Sequence, residues 1–416
     1  MKVKAIVLLV LCSVVLMCSF CVFAQSNSEV IHLNMVVPAT GIPNQIVDSS
    51  DDYSVGFQRQ EDGTIRLTYY DHDLMKLDYY KTFSHSGFVE RGEGGICPIV
   101  QGDTVFLIKV GVVDAGESTG SFIEKFDTRT NEGDSISLSD NYTIDLSSGI
   151  AFDGTDLYFV RLKVKIDNGF VYEAALCKTN FREGVVQEIY SFPYAYNEKY
   201  SIYGAYNDLI LLQKMTIPYF QNDESFFLDL EHTSFSLIPF SVNKNILVEP
   251  IKEWENGETS TAVKENLLYS ILNNKIICND MVKGTEQTVT IVNNTNDSYD
   301  YVLTGSIFDD HAMAYAIKDD TIVGYGGIDL HNGQYQKVDL MYFDSDGVDY
   351  PTTIISETND KFLVMCGAEY ISLTKTFADG SEYTYERRVE KYGLIEKSNY
   401  WNSINDIQMF EDQLTY

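Results

Sequence analysis

Beyond its first 24 residues the chain has no long apolar run, no Cys-x-x-Cys pair and no Trp-Asp or Gly-His dipeptide. The missing apolar run excludes a later transmembrane helix. The missing cysteine pairs argue against a structural metal cluster. Without the two dipeptides, the common intracellular repeat type is set aside. Basic residues are also scarce: 30 Lys and Arg stand against 61 Asp and Glu, a formal charge of −31. A surface of that sign repels phosphate backbones and anionic head groups, so neither nucleic acid nor a membrane surface is expected as a partner. The charge does not signal disorder, because 44% hydrophobic and 13% aromatic residues suffice for a packed core.

The apolar run that is present lies at the start. Lys2 and Lys4 precede Ala5 to Phe23, and Val22-Phe23-Ala24 leads into Gln25-Ser26-Asn27-Ser28. This order of basic, apolar and small residues reads as a signal peptide cleaved after Ala24, with an uncleaved anchor as the alternative. The expected location is therefore extracellular or cell-surface, reached through Sec export. Cys12, Cys18 and Cys21 leave with the leader, and Cys97, Cys177, Cys278 and Cys366 remain. The last three sit in apolar runs, where cysteine behaves as a small buried hydrophobe.

A tight polar pair followed by an apolar strand recurs along the chain. The pairs are Asp51-Asp52, Gly102-Asp103, Asp153-Gly154, Asn207-Asp208, Asn273-Asn274, Asp319-Asp320 and Asn359-Asp360. Asn, Asp and Gly accept the positive φ that two-residue hairpins require. The apolar residues that open the following strands are Tyr53, Val105, Leu157, Leu209, Ile276, Ile322 and Phe362. Most spacings are near 50 residues, and the widest, Leu209 to Ile276, predicts an insertion at about residues 243–266. Four short strands per unit, repeated about seven times, predict an all-β chain forming one β-propeller, with six to eight blades compatible. The expected division is 1–24 signal peptide, 25–50 N-terminal segment, 51–405 propeller and 406–416 tail.

Two stretches resemble a family of uncharacterised exported β-propeller proteins of Gram-positive bacteria. Near the start, Leu67-Thr-Tyr-Tyr-Asp71 leads to Phe83-Ser-His85 and Gly95-Ile-Cys97-Pro98. At the end, Tyr392-Gly-Leu-Ile-Glu-Lys397 is followed by Tyr400-Trp401-Asn402. The resemblance implies the propeller fold and export, and it supplies no activity. In that family the first stretch carries several cysteines around a histidine. Here only His85 and Cys97 match, so the motif is degenerate.

Catalytic motifs are read against their surroundings. Gly116-Glu-Ser118-Thr-Gly120 has nucleophile-elbow spacing but lies in a polar loop between strands, without the helix such an elbow needs. Ser241-Val-Asn-Lys244 and Ser139-Asp-Asn141 echo a serine β-lactamase set in reverse order, with its third element missing. The histidines His32, His72, His85, His232, His311 and His331 are singletons without metal-ligand spacing, and the Asp71-His72-Asp73 turn is expected to be solvated. No catalytic residue is assigned. Asp344, Asp346 and Asp349 on a glycine-containing loop form a weak Ca²⁺ candidate, and no other cofactor is expected.

The remaining candidates are aromatic. Trp254 lies among acidic residues in the expected insertion, and Tyr219 and Phe220 lie in the preceding long connection. Tyr194 and Tyr196 belong to a tyrosine-rich run from Tyr190 to Tyr206, where packing between blades is the competing reading. Exposed aromatics beside acids suit a glycan, peptide or protein ligand. The expectation is a non-catalytic secreted binding protein. The alternative is a carbohydrate-active enzyme with carboxylates at the propeller channel.

Overall fold

The computed structural model describes residues 45–59, 65–83, 95–111, 120–130, 132–138, 142–152, 156–164, 171–193, 197–206, 209–222, 225–228, 232–255, 261–293, 298–344, 347–376 and 380–411, together with strand residues 30–33 and 37–38. These residues form seven four-stranded antiparallel blades arranged as a β-propeller. Blade 1 comprises Gln45–Ser49, Tyr53–Arg59, Ile65–Asp71 and Lys76–Phe83. Blade 2 comprises Gly95–Gln101, Thr104–Gly111, Gly120–Asp127 and Gly133–Ser137. Blade 3 runs through Ile150–Phe152, Leu157–Val164, Val171–Asn180 and Val185–Phe192. Blade 4 has Glu198–Tyr206, Leu209–Thr216 and Ser234–Ser241, with Ile246–Leu247 and Lys252–Glu255 together forming its outer edge. Blade 5 contains Thr261–Lys264, Leu267–Leu272, Lys275–Asp280 and Thr285–Thr290. Blade 6 contains Asp300–Phe308, His311–Lys318, Thr321–Asp329 and Tyr335–Lys337. Blade 7 closes the ring with Thr353–Glu357, Lys361–Thr376, Glu382–Glu396 and Gln408–Met409.

The second strands read as nearly continuous apolar runs because both faces of each sheet are covered by neighbouring blades. In Leu157–Val164, Leu157 and Phe159 pack toward blade 2, while Tyr158 and Val160 pack toward blade 4. This is the two-residue alternation of a strand with each face buried in a different seam. The first strands stand beside one another around the axis. Val30–Leu33 pairs with two of them, His32 opposite Phe152 in blade 3 and Val30 opposite Tyr206 in blade 4.

The turn chemistry expected from the sequence is present in part: Asp51-Asp52 and Asn359-Asp360 join their strands without positive φ, and in two blades the left-handed pair is shifted in position. Asn273 and Asn274 (φ 49° and 59°) and Asp319 and Asp320 (φ 51° and 58°) are left-handed pairs as required. They join second strands to third, not first to second. The corresponding first turns of blades 5 and 6 are Glu265-Asn266 and Asp309-Asp310. The interval from Leu209 to the second strand of blade 5 at Leu267 is therefore 58 residues. Its excess comes from a hairpin, Tyr219–Asn222 with Ser225–Leu228, inserted between the second and third strands of blade 4. Of the segment 243–266, expected to be a long loop, the described residues include two short edge strands of blade 4, Ile246–Leu247 and Lys252–Glu255, and the first strand of blade 5, Thr261–Lys264.

Each blade is built from contiguous chain, so no strand is exchanged to close the ring. The C-terminal residues latch blade 7 onto blade 1 instead. Phe410 packs on Tyr70 at 5.2 Å, and the Glu411 amide donates to the Met75 carbonyl. Asn359 Nδ2 donates to Asp51 Oδ2 at 2.7 Å across the same seam. Elsewhere the fourth strands sit tightly against the third. A Cβ on Gly326 would stand 2.1 Å from the Gln336 carbonyl oxygen and 2.9 Å from Lys337 Cα. Gly326→Ala is expected to strip this edge strand from blade 6 and destabilise the protein by about 1–3 kcal/mol. A denaturant midpoint unchanged from wild type would show that the strand yields without cost.

Candidate functional site

The meander gives the propeller two unlike ends. Turns from first to second and from third to fourth strands leave at one end. Turns from second to third strands and connections between blades leave at the other. At the first end the connections are short, such as Asp309-Asp310 and Glu265-Asn266; the exception is the 397–407 connection of blade 7, which holds the helix Lys397–Trp401. Among the described residues the second end carries three elaborations: the blade 4 hairpin 219–228, a hairpin of Met341–Phe343 with Asp349–Pro351 between blades 6 and 7, and an arm on blade 7. The arm arises because the two central strands of blade 7 run 16 and 15 residues and stay paired from Lys361↔Glu396 out to Thr376↔Glu382.

The arm and the 341–351 hairpin are tied by a polar cluster. Asp344 is fully buried and accepts from Arg388 Nε at 2.9 Å. Another Arg388 nitrogen donates to the Tyr342 hydroxyl at 2.8 Å, and a third donates to Glu390 Oε1 at 3.2 Å. The guanidinium also lies over the Tyr350 ring at 5.4 Å. Outward from this cluster the elaborations present Phe343 (69% exposed), Tyr383 (58%) and Tyr370 (42%). Among the described residues these are the exposed aromatic side chains, and all three belong to this end. Tyr383 and Tyr385 stack at 5.8 Å along the arm.

The aromatic candidates from the sequence divide. The backbone of Tyr219 and Phe220 lies on the blade 4 hairpin, hence at the elaborated end, opposite Leu228 and Phe227. Tyr194 and Tyr196 lie outside the described residues. Trp254 is half-buried on the outer edge of blade 4, stacked on Phe235 at 5.4 Å and packed toward Leu211, Leu237 and Leu268. It serves the contact between blades 4 and 5. In the tyrosine-rich run, Phe192 and Tyr200 stack at 4.2 Å between blades 3 and 4, the packing role weighed for that segment.

The carboxylates on the 341–351 loop are differently placed. Asp344 is committed to Arg388, Asp349 is exposed on the opposite strand of the hairpin, and Asp346 lies outside the described residues. Within Gly116–Gly120, residues 116–119 lie outside the described residues, between the paired strands Thr104–Gly111 and Gly120–Asp127. Cys177 is buried, Cys278 and Cys366 are half-buried, and all three are free thiols.

Two polar groups emerge that the sequence did not single out correctly. His72, expected to be solvated, is buried. Its Nδ1 faces the Asp51 carbonyl at 2.9 Å and must carry the proton, so Nε2 accepts from Ser54 Oγ at 2.8 Å. Ser54 is itself fully buried, so the pair ties the strands of blade 1 together. Burial lowers the His72 pKa, and the contact with Asp51 opposes this. Asp48 follows a bulge in the first strand of blade 1, and burial pushes its carboxyl up to about 7 against the hydrogen bond from Ser49. A lone Asp in a short strand gives no sequence signal of this kind.

Among the described residues no helix is long and apolar enough to cross a membrane. No protein-family model and no curated protein matches the chain. Solved structures do. Porphyromonas gingivalis dipeptidyl peptidase 4 is 9% identical over 94% of this chain and 60% of its own, with a TM-score of 0.43. Pyrococcus horikoshii acylaminoacyl peptidase is 10% identical over 72% of this chain and 50% of its own, at 0.38. The β-propeller domain of the Trilobed protease from Pyrococcus furiosus is 10% identical over 88% of this chain and 98% of its own, also at 0.38. The chain thus spans about 60% of the length of the first of these and half of the second.

Proposed function

We propose that this chain is an exported, non-catalytic binding protein that holds a glycan, peptide or protein on the elaborated end of its propeller. The observation that carries the reading is one-sidedness: all three insertions and the exposed Phe343, Tyr370 and Tyr383 belong to that end. Loops on one face of a rigid repeat scaffold are the usual place for recognition. Aromatic side chains with polar tips suit sugar faces and peptide groups alike. Export is read from the leader, and membership of the Gram-positive propeller family from the two motifs quoted above. Glycan and peptide arrays probed with the purified protein test the proposal. Phe343→Ala and Tyr383→Ala are each expected to weaken any hit by about tenfold or more while leaving the thermal midpoint in place. Binding that ignores both substitutions would remove this end of the propeller as the site.

One observation favours a second reading, a carbohydrate-active enzyme with an acid at the channel. Asp48 sits on a first strand and holds its proton up to about pH 7. Turnover of an array hit that is lost in Asp48→Asn, with binding kept, would establish that reading over the first.

A further inference from the structure

The seven seams between blades are very unequal. Between blades 2 and 3, and between blades 5 and 6, thirteen buried side chains form each core. The seams between blades 3 and 4 and between blades 6 and 7 hold eleven each, blades 1 and 2 hold nine, and blades 7 and 1 hold seven. Between blades 4 and 5 the core among the described residues is three leucines, Leu211, Leu237 and Leu268. Their apolar neighbours in that seam, Tyr203, Ile251, Trp254, Val263 and Met281, are only partly buried.

Geometry at this seam accounts for the deficit. The first strand of blade 4 bulges between Ile202 and Gly204, and Gly204 presents no side chain where blade 5 approaches. Val263 Cγ1 stands 3.8 Å from where a Gly204 Cβ would be. A small apolar cleft of about 10 Å³, room for roughly one water, remains between the blades, lined by Gly204, Leu211, Pro239, Val263 and Met281. Among the described residues the polar link across it is the Tyr203 hydroxyl, which donates to the Thr261 carbonyl at 3.0 Å and also meets the Thr261 hydroxyl. Two other seams are tied more heavily. Between blades 5 and 6, Val292 exchanges backbone hydrogen bonds with Gly333 and Tyr335, and Lys264 pairs with Asp310 at 2.8 Å. Between blades 6 and 7, Trp401 Nε1 donates to Asp309 Oδ2 at 3.0 Å and the Asp309 amide donates to Glu357.

We propose that the ring opens at the seam between blades 4 and 5, as a reversible motion distinct from global unfolding. Seam strength scales with apolar area removed from water, so the junction with the smallest core separates at the lowest free energy. The opening exposes the flank of the first strands of both blades and gives a lateral path toward the axis. It operates without any strand leaving its own blade, since the ladders within blades 4 and 5 stay intact.

Thiol labelling of full-length variants tests this directly. Leu268→Cys places a thiol in the thin seam, and Leu107→Cys places one in the seam between blades 1 and 2; both positions are buried to within 1%. The free Cys177, buried between blades 2 and 3, reports global unfolding in the same molecule. Leu268→Cys is expected to react about tenfold faster or more than Leu107→Cys and Cys177. Tyr203→Phe should speed labelling at Leu268→Cys and leave the other two unchanged. Leu237→Cys, on the blade 4 side, provides the same readout if Leu268→Cys does not fold. Equal labelling rates at the thin and thick seams, or a Tyr203→Phe effect shared by all thiols, would overturn the proposal.

Discussion

Replacing Arg388 with methionine is expected to lower the unfolding free energy by about 3–5 kcal/mol, because it leaves a buried carboxylate without its cation. Asp344 is fully buried, and Arg388 supplies its ion pair while also bonding Tyr342 and lying over Tyr350. A methionine retains much of the aliphatic stem and removes the charge, so the loss reports on the stranded Asp344 more than on packing. The paired change Arg388→Met with Asp344→Leu should recover most of the stability, since the buried carboxylate then disappears together with its cation. Urea midpoints of wild type and the two variants decide the matter. A single variant as stable as wild type would mean that Asp344 takes its proton, or another donor, at little cost. The same pair bears on calcium. An ion seated on the 341–351 loop would have to displace Arg388 from Asp344, so millimolar Ca²⁺ is expected to leave the wild-type midpoint where it is. A clear rise would show that the loop can rearrange to coordinate the metal.

The blades were legible in the sequence because their turns have a chemical requirement. Left-handed pairs such as Asp319-Asp320 have few alternatives, and each marks a hairpin wherever it falls. What such a pair does not reveal is which hairpin of the blade it closes. That ambiguity displaced the reading of blades 5 and 6 by one strand and turned the blade 4 hairpin into an apparent loop at 243–266. The arm of blade 7 was hidden for a related reason. The run 361–376 opens on the apolar stretch Phe362–Cys366 and continues with mixed apolar and polar residues well past the length of an ordinary strand, yet nothing local says where the blade ends and the projection begins. Side-chain roles were less legible still. Trp254 and the exposed Tyr383 are both aromatics among acidic neighbours in sequence, and only the blades brought against them separate packing from exposure. His72 stands between two aspartates and looks solvated, but the turn folds it under the latch formed by Phe410, 5.9 Å from its ring.

Asp48 carries the second large effect, and its sign is unusual for a carboxylate. In the unfolded chain it ionises near 3.8, whereas in the fold burial holds the proton up to about 7. Between those values the native state binds the extra proton, so this group makes stability fall as pH rises from about 4 to 7 and level off above. Asp48→Asn keeps an oxygen for the Ser49 amide and never ionises. The variant is therefore expected to match wild type near pH 4 and to exceed it above pH 7, by up to about 4 kcal/mol. His72 works in the opposite direction. Its pKa is lowered first by burial, so the unfolded chain takes up a proton near 6.5 that the fold resists, and stability is lost as pH falls below that point. In wild type the two slopes oppose one another over the same window. In Asp48→Asn the histidine slope should stand alone, with unfolding midpoints declining steadily on acidification below 6.5. Urea denaturation of both proteins from pH 4 to 8 separates the contributions. A constant gap between them would mean that Asp48 ionises in the propeller as freely as in the unfolded chain, and with that the case for an acid at the channel would go.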